Sequence, residues 1–110
     1  MEKNMADSFR ILSFRNQIRI NDSATEAHIR PLLEIELDRA ETLFISQTID
    51  GMEMFAPVRY PLEKGAQAIF LKTMRVIRPN PGSYKIGITV STSAAHAEFE
   101  VASEDVTLTP

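Results

Sequence analysis

The sequence predicts an all-β protein, an antiparallel sandwich of about seven strands, and three observations carry the prediction. Tyr84, Ile86, Ile88 and Val90 alternate with Ser83, Lys85, Gly87 and Thr89, which is the period of a half-buried strand. Asp50-Gly51 stands between two apolar runs and suits a type I′ hairpin turn, whose two central residues both need positive φ. Leu33, Ile35 and Leu37 alternate with Glu34 and Glu36, as Phe99 and Val101 do with Glu98 and Glu100.

Taken in order, residues 1–8 are polar and aperiodic and are expected to form a disordered N-terminus. Residues 9–15 and 17–20 are strand pieces broken at Asn16, and Asn21-Asp22-Ser23 is a turn. From Ser23 to Phe44 two periods compete. Ser23 and Glu26 form a capping-box pattern, and Leu33, Leu37, Ala40 and Phe44 recur at helical spacing. Pro31 would sit two turns inside such a helix, at a cost of about 3 kcal/mol, so the strand with Leu33, Ile35 and Leu37 inward is preferred. A short helical turn near 24–30 is compatible with either. Residues 42–49 make the next strand, and Met52–Tyr60 is expected to return beside it. Pro57 and Pro61 cannot donate to a ladder, which puts that return at a sheet edge. Residues 67–77 again suit helix or strand; Gly65 and the β-branched residues favour strand. Pro79-Asn80-Pro81-Gly82 is a rigid turn into the Tyr84 strand. After a turn at Ser91-Thr92-Ser93, Ala95, Ala97, Phe99 and Val101 are expected to face inward. The sandwich is expected over 9–103, with 104–110 as a C-terminal tail.

At 110 residues there is room for one core. The chain has no cysteine, which excludes disulfides, thiolate metal sites and thiol nucleophiles. Its net charge of −3 supplies no global field for nucleic acid, so no nucleic acid partner is expected. No apolar run is long enough to cross a membrane as a helix, and no membrane insertion is expected. The first residues lack the apolar stretch of a signal peptide. The compartment is left open: cytoplasmic if the chain is complete, periplasmic or extracellular if a signal was removed.

The pattern of residues 32–101 resembles immunoglobulin-like sandwich modules, near the fibronectin type III and CARDB-like ones. The residues that carry the likeness are Asp50-Gly51, Leu62-Glu63-Lys64-Gly65 and Pro81-Gly82-Ser83-Tyr84. The core cysteines and tryptophan of antibody-type domains are missing. The resemblance implies an immunoglobulin-like antiparallel β-sandwich that binds proteins, sugars or other copies of itself, and it supplies no site to carry over. It also implies a strand order in which Glu34 and Glu36 lie beside Lys72 and Arg75, and Lys85 lies beside Glu98 and Glu100. The basic block 64–85 is then expected to pair with acidic neighbours rather than form an anion patch.

No catalytic motif is present: there is no G-x-S-x-G, phosphate loop or H-E-x-x-H. His28 and His96 fall on strands not expected to pair, so no metal is expected. Glu34 with Glu36, and Glu98 with Glu100, place carboxylates roughly 6.5–7 Å apart on a strand face, and solvated faces are the expectation. Tyr84 should put its ring in the core and its hydroxyl on a nearby backbone group. One segment combines residue types favoured at protein interfaces: Met52, Met54, Phe55, Val58, Arg59 and Tyr60 on the edge strand. These are the partner-binding candidates; core duty for Met54 and Val58 is the competing reading. The expectation is a non-catalytic protein-binding or structural module, self-associating or docking a partner, with no cofactor. A small-ligand or carbohydrate-binding module is the alternative.

Overall fold

A computed structural model of the protein describes residues 8–92 and 98–109. Nine strands follow one another with no helix among these residues: β1 (Phe9–Ile20), β2 (Glu26–Leu37), β3 (Glu41–Ile49), β4 (Met52–Glu53), β5 (Val58–Leu62), β6 (Gly65–Phe70), β7 (Met74–Ile77), β8 (Gly82–Ser91) and β9 (Phe99–Leu108). They form two antiparallel sheets. In sheet I, β2 lies between β1 and the successive short strands β6 and β7. In sheet II the order runs from β4 and β5, both on one flank of β3, through β3 and β8 to β9. The nine segments therefore occupy seven positions.

The core is the inward face of each alternating strand. Leu33, Ile35 and Leu37 of β2 meet Leu43, Ile45, Ile88 and Val90 from sheet II. A second cluster joins Ile29, Met74, Ile86 and Val106, and Phe14 packs against both. Burying each large aliphatic side chain contributes about 1.5–3 kcal/mol. The Asp50-Gly51 turn has φ of 52° and 83°, as a type I′ turn requires. Tyr84 packs its ring on the second cluster, and its hydroxyl donates to the Asn80 carbonyl at 2.8 Å.

Pro31 shapes sheet I. It lies in the central strand, where proline is normally excluded. Its carbonyl accepts from Leu71 N–H at 2.9 Å, so its donor-less nitrogen also points toward the β6–β7 side. There the neighbouring strand leaves the ladder: β6 ends at Phe70 and β7 begins at Met74. The strand expected over 67–77 is broken for this reason.

Several other expectations need correction. No helical turn occupies 24–30. Asn21 closes a hairpin instead, its Oδ1 accepting from Thr25 N–H at 2.9 Å and Glu26 N–H at 3.0 Å, with Ala24 at φ 59°. β1 is continuous through Asn16, and its irregularity is a bulge at Leu12. The return of the hairpin is interrupted between β4 and β5, where Pro57 falls. The last strand faces the other way: Phe99 and Val101 are exposed, while Glu98 and Glu100 turn inward. It also continues through the expected tail, burying Val106 and Leu108. Ala95 and Ala97 lie outside the described residues, as does most of the segment 1–8.

Candidate functional site

The edge segment between Met52 and Tyr60 does two jobs. Among the described residues, Met52 is the most exposed large apolar side chain, at 71%. Arg59 is also exposed. Met54 and Phe55 are both half-buried against the Ile29–Met74–Ile86 cluster. Neighbouring residues of a regular strand face opposite ways, but this pair lies in the interruption between β4 and β5, where alternation does not apply. Tyr60 packs against the first core cluster, and its partial burial raises the phenol above its usual value. Val58 is half-buried. Of the six sequence candidates, Met52 and Arg59 are therefore the surface pair.

Inside the sandwich, several polar side chains tie one sheet to the other, while Asn16 Oδ1 and Glu41 Oε1 are buried without a hydrogen-bond partner. Gln47, only 1% exposed, reaches from β3 to the strand break opposite. Its Nε2 donates to the Lys72 carbonyl at 2.8 Å and its Oε1 accepts from Lys72 N–H at 3.1 Å. These are backbone groups that lost their ladder partners where β6 gives way to β7. Along the opposite side, the inward carboxylates of β9 and the residue before it serve β1. Glu98 accepts from Ser8 Oγ at 2.9 Å, Glu100 from Ile11 N–H at 3.0 Å, and Glu104 from Asn16 Nδ2 at 2.9 Å.

The outer face of sheet I gathers charge that the sequence does not show as a block. Its cross-strand pairs are Arg10–Glu36, Ser13–Glu34, Arg15–Leu32, Gln17–Arg30 and Arg19–His28, with Arg75 opposite His28 on the far side. The acidic members are each engaged. Arg10 donates to Glu36 at 2.7 Å, Ser13 donates to Glu34, and His28 Nε2 lies 3.0 Å from Glu26. Glu26 is held below the usual carboxylate range, first by that hydrogen bond and then by the positive charge of Arg75. Among the described residues, Arg15, Arg19, Arg30 and Arg75 form no ion pair. The Arg30 guanidinium lies over the Phe70 ring, 3.9 Å from its centroid. An open groove of about 470 Å³ runs here, bordered by Gln17, Arg19, His28, Arg30 and Thr73.

The pairing expected for the basic block is only partly realised. β2 does lie beside β6 and β7, but Glu34 and Glu36 face Ala68 and Ala66, while Lys72 falls in the strand break. Lys72 sits over the Phe55 ring instead, at 4.5 Å. Lys85 faces Asp105 rather than Glu98 or Glu100. Three of the four arginines on the sheet I face that form no ion pair come from outside the 64–85 block. Cross-strand register brings them together, and charge counted along the chain conceals it. No group of three or more potential metal ligands occurs among the described residues, and His96 lies outside them.

On the outer face of sheet II a shallower hollow of about 360 Å³ opens over Gly87, ringed by Thr48, Thr89, Val101 and Ser103. Phe44 and Phe99 stand two rows away across the same face.

No family model matches the sequence, and no curated protein matches it significantly. Solved structures do share the fold. An exo-chitosanase of Amycolatopsis orientalis superposes with a TM-score of 0.71 at 14% identity, over 91% of this chain and 13% of that one. A second structure of the same enzyme, there called an exo-β-D-glucosaminidase, gives 0.72 at 14% identity, over 92% of this chain and 13% of the other. A β-glucuronidase of Parabacteroides merdae gives 0.65 at 13% identity, over 91% and 13%. The chain thus spans 13% of the length of each of these enzymes, and at such identities the likeness is one of fold alone. What it establishes is a small β-sandwich domain.

Proposed function

We propose that this chain is a non-catalytic interaction module of the immunoglobulin-like type, acting through its surface. The observation that carries the reading is where the polar groups are spent. Gln47, Glu98, Glu100 and Glu104, facing inward, are each bound to backbone or to the side chain of Ser8 or Asn16, and the buried oxygens without a hydrogen-bond partner, Asn16 Oδ1 and Glu41 Oε1, lie apart from any nucleophile or metal-ligand cluster among the described residues. The arginines that form no ion pair on sheet I lie on an open outer surface. The fold likeness to short segments of much longer enzymes supports the same reading, since an accessory sandwich can act without the catalytic part.

For protein contact, the hairpin end offers Met52 and Arg59. Docking through these side chains suits it better than strand addition, because Pro57 and Pro61 remove ladder donors from that edge. Sedimentation equilibrium of the parent and of Met52→Ser tests this. Self-association that weakens in the variant, with melting unchanged, supports the hairpin as the contact. A monomeric parent that also retains no partner from its native source would overturn it. A parallel assay on p-nitrophenyl glucosaminide and glucuronide should give no turnover; turnover by the purified chain would overturn the non-catalytic reading.

A carbohydrate-binding role is the second reading. The hollow over Gly87 favours it, because Thr48, Thr89 and Ser103 present hydroxyls around a floor without a side chain. Amide shifts in Thr48, Gly87, Thr89 and Ser103 on adding glucosamine or glucuronate would favour this reading over the first.

A further inference from the structure

We infer that the outer face of sheet I is a binding site for an extended acidic polypeptide segment. It is a surface separate from the hairpin.

Besides Arg10, which is paired with Glu36, four arginines, Arg15, Arg19, Arg30 and Arg75, converge there from three strands, against the background of a chain whose net charge is −3. All four are exposed. The carboxylates on the same face are each engaged by a neighbour, whereas the arginines form no ion pair among the described residues. Arginine presents a planar fork of donors that matches a carboxylate two-to-two, so four such forks form an array of carboxylate receptors, of which Arg75 also acts through its charge on Glu26. Phe70 beneath Arg30 holds one fork in place and so lowers the cost of ordering it.

The spacing selects the ligand. Arg15, Gln17 and Arg19 are alternate residues of β1, so the receptor rows, in which Arg30 faces Gln17, repeat at about 6.6–6.8 Å, the strand period. An extended peptide with an acidic residue at every second position presents its carboxylates at that same interval on one face. A single small anion reaches only one or two of the four forks. A single-stranded nucleic acid needs free aromatic faces for its bases, but the Phe70 ring already carries the Arg30 guanidinium. The patch is also short, because Glu34 and Glu36 bound it at one end and Glu26 at the other. A long phosphate chain would run onto like charge.

The test is fluorescence anisotropy of the full chain with a labelled peptide of repeating Glu-Ser, a Gln-Ser control, and a labelled oligothymidylate. The expected result is binding of the Glu-Ser peptide that weakens with salt, with little binding of either control. Changing Arg15, Arg19 and Arg75 together to Gln should weaken it about tenfold, while Lys64→Gln with Lys85→Gln leaves it unchanged. Thermal melting checks that the triple variant is folded. Amide shifts on titrating the unmutated protein give an answer independent of any variant, and they should cluster at 15–19, 28–30 and 73–75. Absence of binding at low salt, shifts centred elsewhere, or a triple variant that is folded and binds equally well would overturn the inference. So would oligothymidylate binding as tightly as the peptide, which would assign the face to phosphate chains instead.

Discussion

The two sides of this sandwich are tied by different chemistry. On the side of the interrupted strands, one neutral amide, Gln47, spans the layers and satisfies both backbone groups of Lys72. On the side of β1 and β9, three carboxylates accept from Ser8, Ile11 and Asn16. Both solve the same problem, which is that a sheet ends or breaks and leaves backbone or side-chain donors without partners. The difference follows burial. Gln47 is sealed from solvent, where an ion would carry a desolvation cost of several kcal/mol, so the tie there is uncharged. Glu98, Glu100 and Glu104 remain half-exposed and keep part of their hydration. An amide also brings a donor and an acceptor to one residue, which a carboxylate cannot.

Removing the buried tie should cost most. Gln47→Leu leaves the N–H and C=O of Lys72 facing an apolar side chain, and urea unfolding should show a loss of about 2–4 kcal/mol. A loss within error would mean that water replaces the amide and that the burial argument is wrong. Glu100→Ala should cost less, about 1–2 kcal/mol, because the Ile11 N–H it abandons lies nearer solvent. Glu100→Gln keeps an acceptor and should recover much of that. The two ties are on opposite sides, so the losses of Gln47→Leu and Glu100→Ala should add to within about 0.5 kcal/mol in the double variant. A larger coupling would show that the sheets respond as one rigid body.

The sides should also differ at alkaline pH. Tyr60, on β5, has its phenol raised by burial, so the folded state holds that proton more tightly than the unfolded chain. The stability this contributes is fully present below about pH 10 and is lost as pH rises through the folded value. Neither β1 nor β9 carries a tyrosine. Phenolate absorbance during alkaline titration should therefore show a late-titrating group in the parent that is missing in Tyr60→Phe. Smallest of all should be Phe99→Ser, within about 0.5 kcal/mol, because that ring is exposed. A cost of core size would reverse the assigned facing of β9.

That facing shows where the sequence ceased to be legible. Alternation reported correctly that Phe99 and Val101 share one face and Glu98 and Glu100 the other, but a period of two does not say which face is inside. Hydrophobicity favoured the phenylalanine. What decided was the edge of β1, whose donors lie some ninety residues away in sequence. The interiors of β2 and β8 carried no such conflict, because every inward residue from Leu33 to Leu37 and from Ile86 to Val90 is aliphatic. Asp50-Gly51 was equally plain, since positive φ is a local requirement. Pro31 was half legible: it argued against a helix, but its effect on the strand alongside required knowing that β6 and β7 are its neighbours. The arginine face was invisible for the related reason that register, not chain order, assembles it.

Pro31 also bears on how the protein behaves at high concentration. A continuous strand over 65–77 would offer a long run of free hydrogen-bonding groups to any other chain, the kind of template from which fibrils grow. The break cuts it into pieces of six and four residues, and Gln47 holds the intervening backbone toward the interior. A proline in the middle of the sheet thereby protects its rim. Replacing it with valine would strengthen the ladder locally while making the solution more prone to gel.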